Sequence, residues 1–116
     1  MNETIGNKLK QTIGEIVDIS LNRDATQRKP YAVYSLDVAP SYDKAGVYKY
    51  SGTLEITIYT STFAEGETMA TQILAAINRS MQNQEYRTLI ISKTSTSNNG
   101  TFIQSIEYNI AQYRNS

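Results

Sequence analysis

The feature that most constrains this chain is a change of period between Thr60 and Thr62. From Thr53 to Thr60, Leu54, Ile56 and Ile58 alternate with Thr53, Glu55, Thr57 and Tyr59, the period-two pattern of a strand with one buried face. The spacing then becomes helical. Thr62-Phe63-Ala64-Glu65 fits a capping box, in which the Thr62 hydroxyl accepts the Glu65 amide and the Glu65 carboxylate reaches back to the Thr62 amide. Met69, Ala70, Ile73, Leu74, Ile77 and Met81 follow at three- and four-residue intervals, one apolar stripe along a helix of about five turns. A one-faced strand and a one-striped helix of similar length, tightly joined, bury each other.

The rest of the chain supplies neighbours for that pair. Ile5, Leu9 and Ile13 at four-residue spacing, with Asn2 or Thr4 as N-cap, predict a short helix closing near Gly14. Glu15 to Leu21 alternates as a short strand, and Asn22 to Lys29 is a polar connection. Pro30 opens a strand over Tyr31 to Ala39, Pro40 to Gly46 has turn chemistry, and Val47 begins the strand that leads into the long helix. Gly52 interrupts that strand, where a residue without a side chain commonly marks a bulge or bend; the outer part of the hairpin is expected to lean away from the core. After the polar exit Gln82 to Glu85, Arg87 to Thr96 is a strand with Leu89 and Ile91 on one side and Ile90 on the other. Asn98-Asn99-Gly100 predicts a tight hairpin turn. The returning strand runs from Thr101 to Tyr113, with Phe102, Ile106, Tyr108 and Ile110 on one face. The fold class expected is α+β: an antiparallel sheet of four to five strands with a long helix and a short N-terminal helix on one face, as one domain over residues 1–116.

Composition removes most chemistry. The 116 residues include no cysteine and no histidine, which takes away disulfides, thiolate metal sites, the usual general base near neutral pH and any Ser-His or Cys-His pair. Glu55 and Glu107 are placed on outer strand faces, where cross-strand pairing with Lys49 or Lys93 is the ordinary explanation. Glu65 is used by the cap, and the helix dipole accounts for Glu67. The glycines are scattered and make no phosphate cradle. No catalytic residue, cofactor or metal is therefore expected, and the chain is read as not an enzyme.

Eleven basic residues balance eleven acidic ones, so nothing favours an anionic membrane or sequence-specific nucleic acid. No apolar run approaches the roughly 20 residues of a membrane-spanning helix. The start, Met-Asn-Glu-Thr-Ile, lacks the basic and apolar segments of a signal peptide, so a chain that is not exported is expected. Aromatic usage is lopsided, with nine Tyr against two Phe and no Trp. Tyrosine is a good strand former and is also enriched where protein meets protein.

Several segments taken together resemble a known family. Pro30-Tyr31-Ala32-Val33-Tyr34, a variable tip, Leu54-Glu55-Ile56-Thr57-Ile58-Tyr59-Thr60-Ser61 leading into the Met69 to Ile77 helix, and a last strand from Phe102 to Tyr113 resemble tail-completion proteins of long-tailed bacteriophages, most closely the tail terminators. The resemblance covers Pro30 to Tyr113 and is carried by pattern and order. It implies a virion protein of the tail or neck, made in the host cytoplasm. Six copies would form a ring that caps the tail tube protein and docks the head-tail connector proteins. Within that picture, Tyr42, Tyr48 and Tyr50 on the hairpin are candidate contacts to a neighbouring copy or the tube, and Arg23, Arg28 and Lys29 are candidates for the ring mouth. The alternatives are a neck adaptor on the portal side and, from another class, a small α+β domain binding an apolar ligand between helix and sheet.

Overall fold

A computed structural model describes residues 2–17, 19–21 and 30–113. The elements in chain order are α1 (Asn2–Ile13), β1 (Ile19–Leu21), β2 (Tyr31–Asp43), β3 (Gly46–Thr60), α2 (Phe63–Ser80), β4 (Tyr86–Asn98) and β5 (Thr101–Tyr113). The strands form one sheet in the order β1-β2-β3-β5-β4. Both hairpins and the β3–β5 pair are antiparallel, and β1 joins β2 in parallel through three residues. The expected α+β class, with two unequal helices against a largely antiparallel sheet, is what forms. The long helix carries the chain from β3 across to β4, and β5 returns to fill the gap between them.

The core lies where the two expected patterns meet. Leu54, Ile56 and Ile58 from β3, Ile106 from β5, and Ile73 from α2 have no exposed surface, and Ile77 and Ile110 have almost none. The first helix adds Ile5, Leu9 and Ile13, all fully buried. Each such aliphatic side chain contributes roughly 1.5–3 kcal/mol by leaving water. Thr62 caps α2 by accepting the Glu65 amide at 3.1 Å. The Glu65 carboxylate, however, accepts the Ser61 amide at 3.4 Å, one residue before the partner expected from the capping box.

Other boundaries differ from expectation. The strand predicted over Glu15 to Leu21 is only Ile19–Leu21, because Ile16 and Val17 instead donate amide bonds to the Ile13 carbonyl in a turn that closes α1. Pro40 lies inside β2 and not in the turn. Beyond Tyr34, β2 has no outer partner among the described residues, so a missing N–H on that side breaks no ladder. Gly52 is not a bulge: it is in register with both Val38 and Ile110. The irregularities fall elsewhere. Ser41 pairs with Lys49 and Tyr42 with Val47, which makes Tyr48 the extra residue; Ile90 pairs with Tyr108 and Ser92 with Glu107, which makes Ile91 the extra residue of β4. Each bulge exchanges the two faces of the strand beyond it.

The two hairpins leave the helix-covered block in opposite directions, and the molecule measures 53 × 26 × 23 Å. The β2–β3 tip lies past the C-terminal end of α2. The β4–β5 tip, at Asn99 and Gly100 with φ of 50° and 78°, lies at the end where α2 begins. Those positive angles are what the Asn-Gly pair supplies.

Candidate assembly interface

Three of the six nominated residues are in view. Tyr42 is 69% exposed, while Tyr48 and Tyr50 are half-buried. Tyr42 and Tyr50 share the parity of the helix-covered face, beyond the reach of α2, whereas Tyr48 is displaced by the bulge. The Lys49 ammonium stands 5.9 Å from both the Tyr48 and Tyr113 ring centres, a cation held between two aromatic faces. The outer hairpin thus presents an aromatic cluster around the Lys49 ammonium. Arg23, Arg28 and Lys29 lie outside the described residues.

A second surface was missed by sequence reasoning. Every residue of β4 from Leu89 to Asn98 is exposed, including Leu89 at 66%, Ile90 at 44% and Ile91 at 47%. Consecutive large aliphatics on a sheet edge are a pairing liability that proteins normally guard. The run Leu89-Ile90-Ile91, read as ordinary two-faced strand, was itself the available signal. Two hollows flank it. One of about 410 Å³ is bordered by Gly52, Arg87, Leu89 and Asn109; the other, of about 250 Å³, by Leu74, Asn78, Ile90 and Tyr108. The Gln82 amide donates to the Thr88 carbonyl at one end of the run.

The bulge at Ile91 also rewires the charges. Beyond it Lys93 turns to the helix side and pairs with Glu67 at 3.2 Å, so neither Glu55 nor Glu107 has it as a partner. The Gln104 amide, at 2.7 Å, and then Lys93 hold the Glu67 carboxyl below its usual range. Glu55 and Glu107 stand directly opposite each other on the helix-free face; farther along the same face toward the end of β3, the Thr57 and Ser105 hydroxyls meet at 3.4 Å and Tyr31 stacks on Tyr59 at 4.7 Å. Among the described residues no group of three or more acidic side chains could hold a metal ion. The space between α2 and the middle of the sheet is filled by Ile73, Ile77, Leu54 and Ile56, and the hollow of about 250 Å³ lies beside it, between Leu74 and Asn78 of α2 and Ile90 and Tyr108 of the sheet.

The Tyr108 hydroxyl is buried at the rim of this filled space without a hydrogen-bond partner among the described residues. Burial pushes its pKa up to about 12, from an ordinary value of 10.0. On raising the pH the unfolded chain loses this proton first, so the contribution is intact below pH 10 and is lost as the pH climbs from 10 toward 12. Tyr108→Phe is expected to lessen alkaline destabilisation. At pH 7 it should leave stability unchanged or raise it by up to about 1 kcal/mol, because an unsatisfied buried hydroxyl is removed. Urea melts of both proteins at pH 7 and pH 11 check both expectations.

No protein-family model matches the sequence, and neither does any curated protein. Solved structures share the fold. The bacteriophage SPP1 gp17 protein matches 98% of this chain and 88% of its own, with a TM-score of 0.55 and 16% identity. A chain of the virion of a native gene transfer agent particle matches over 91% of this chain and 84% of its own, with a TM-score of 0.52 and 14% identity. At these identities the shared property is the overall fold.

Proposed function

We propose that this chain is a single-domain structural component of a phage virion, and specifically a tail terminator: a subunit whose ring, of six copies, caps the tail tube and joins it to the head connector. The observation that carries this reading is a fold held in common with a bacteriophage protein and a gene transfer agent virion chain over more than four-fifths of each chain. A helix-covered core that leaves a projecting aromatic hairpin and an apolar sheet edge exposed supports it, since those are the surfaces an assembling subunit needs. A function built from surfaces also suits a chain without histidine or cysteine.

Tyr42, Tyr48 and Tyr50 are the proposed contacts to the neighbouring copy or the tube. Replacing all three with serine is expected to leave the circular dichroism spectrum unchanged and to reduce capped, infectious particles at least tenfold in a complementation assay. Normal particle yield from the triple variant would remove the hairpin from the interface. Normal tails and infectivity after deletion of the gene would remove the terminator role altogether.

A further inference from the structure

An asparagine side chain can react with the backbone that follows it. Its carbonyl carbon can close a five-membered ring onto the next residue's nitrogen, and a glycine there puts no β-carbon in the way. Among the asparagines of this chain only Asn99 is followed by glycine. The fold leaves that pair open. Asn98 and Thr101 are the last paired residues of β4 and β5, so Asn99 and Gly100 lie outside the ladder as a two-residue turn with φ of 50° and 78°. Residues 98–100 are all exposed. A β-carbon on Gly100 would have nothing within 4 Å, so water reaches the peptide between the two residues. Among the described residues no hydrogen bond holds the Asn99 side chain.

Its neighbours in the same half of the chain are placed differently. Asn83 accepts the Glu85 and Tyr86 amides, both at 2.9 Å, and donates to the Ser80 carbonyl at 3.2 Å, which fixes its side chain. Asn78 lies inside α2. Asn109 is paired with both Thr53 and Leu89 in the sheet and is followed by the β-branched Ile110. Asn98 is itself in the ladder, opposite Thr101. Ring closure requires rotation about the bonds of the turn. Opening the end of a hairpin costs far less than unfolding the chain, and β4 is exposed from Leu89 to Asn98, so no packed side chain of that strand resists it.

We propose that the pair Asn99 and Gly100 is a site of spontaneous deamidation, where water turns the Asn99 amide into aspartate and isoaspartate. The Gly100 nitrogen gives up its proton to hydroxide and attacks Cγ of Asn99; the Cγ–Nδ2 bond breaks and ammonia leaves. Water then opens the resulting succinimide. Attack at Cγ returns an ordinary peptide with an aspartate side chain, whereas attack at the α-carbonyl carbon routes the chain through the side chain as isoaspartate. The net exchange is one amide and one water for one carboxylate and one ammonium, with no oxidant or reductant. The products differ in consequence. Aspartate tolerates positive φ and keeps the turn; isoaspartate adds a backbone carbon to a turn whose length sets the register of β4 on β5. Either product moves the net charge from zero to minus one.

The test follows the purified full chain at mildly alkaline pH, folded and, in parallel, in concentrated urea. Trypsin releases residues 94–114 as one peptide, in which mass spectrometry reads the replacement of an amide by a carboxylate at position 99. Methyl transfer by protein isoaspartyl methyltransferase counts the isoaspartate. In the folded chain residue 99 is expected to convert ahead of every other asparagine, with isoaspartate in excess of aspartate. Its rate should lie within about a hundredfold of the rate in urea, as a local opening permits. Asn99→Gly keeps a residue at ease with positive φ; it should match the wild-type circular dichroism and accept no methyl group at this turn. A folded-state rate more than about a hundredfold below that in urea would mean that the reaction waits for global unfolding, and overturns the proposal. Faster conversion of another asparagine in the folded chain, or unchanged methyl transfer to Asn99→Gly, overturns it as well.

Discussion

Gly52→Ala is expected to destabilise the fold by about 3 kcal/mol or more, which for a chain of this size lowers the melting temperature by roughly 10 °C. The reason is contact between backbones. A β-carbon at position 52 would lie 1.9 Å from the Asp37 carbonyl oxygen and 2.8 Å from the Val38 α-carbon. Neither atom belongs to a side chain that can turn aside, so β2 itself must move away from β3. Gly52 also pairs with Ile110 on its other side, which prevents β3 from yielding in the opposite direction. The expected damage is greatest in the outer half of the hairpin, where α2 no longer supports the sheet. Thermal melts give the magnitude, and amide exchange over Ser35–Asp43 gives the location. A loss below about 0.5 kcal/mol, the ordinary surface value, would mean that the strands do not approach so closely.

Ile56→Ala is expected to cost about 3–4 kcal/mol, the range for emptying a fully buried aliphatic site. Ile56 has no exposed surface, and its cross-strand neighbours are Tyr34 and Ile106. It sits where β2, β3 and β5 run side by side, so no single side chain can collapse into the space. Ile91→Ala provides the contrast. Ile91 is 47% exposed, and its loss should change stability by no more than about 0.5 kcal/mol. Chemical denaturation of the two variants separates an isoleucine kept for the core from one whose burial, if any, comes from outside the chain. Equal losses would overturn the division drawn between them.

Much of the fold was legible because it is local. The alternation of Leu54, Ile56 and Ile58, the cap at Thr62, the stripe from Ala70 to Met81 and the Asn99-Gly100 turn each state their structure within a few residues. What escaped depends on two strands at once. An extra residue such as Tyr48 or Ile91 has no signature of its own, since it is extra only relative to the register of its partner. The pairing of Lys93 with Glu67 follows from the second bulge and was out of reach for the same reason. Gly52 was read as a bulge or bend and is neither a bulge nor a break in register; the need for glycine there comes from the proximity of Asp37 and Val38, set by the other strand. The three-residue β1 is held by a parallel match that its own sequence does not announce. For the proposed interface, the exposure of Tyr42 is a tertiary fact, whereas the Leu89-Ile90-Ile91 run carried a local signal in its three consecutive aliphatics, and only the placing of the helices shows that they stay uncovered.

Four long strands running with the 53 Å axis have a mechanical consequence. Ladder bonds lie across the strands, so tension between the two hairpin tips would load many of them in shear together, where a crosswise pull would peel them in turn. A subunit gripped at its two ends is therefore stiffest along the direction that joins its grips.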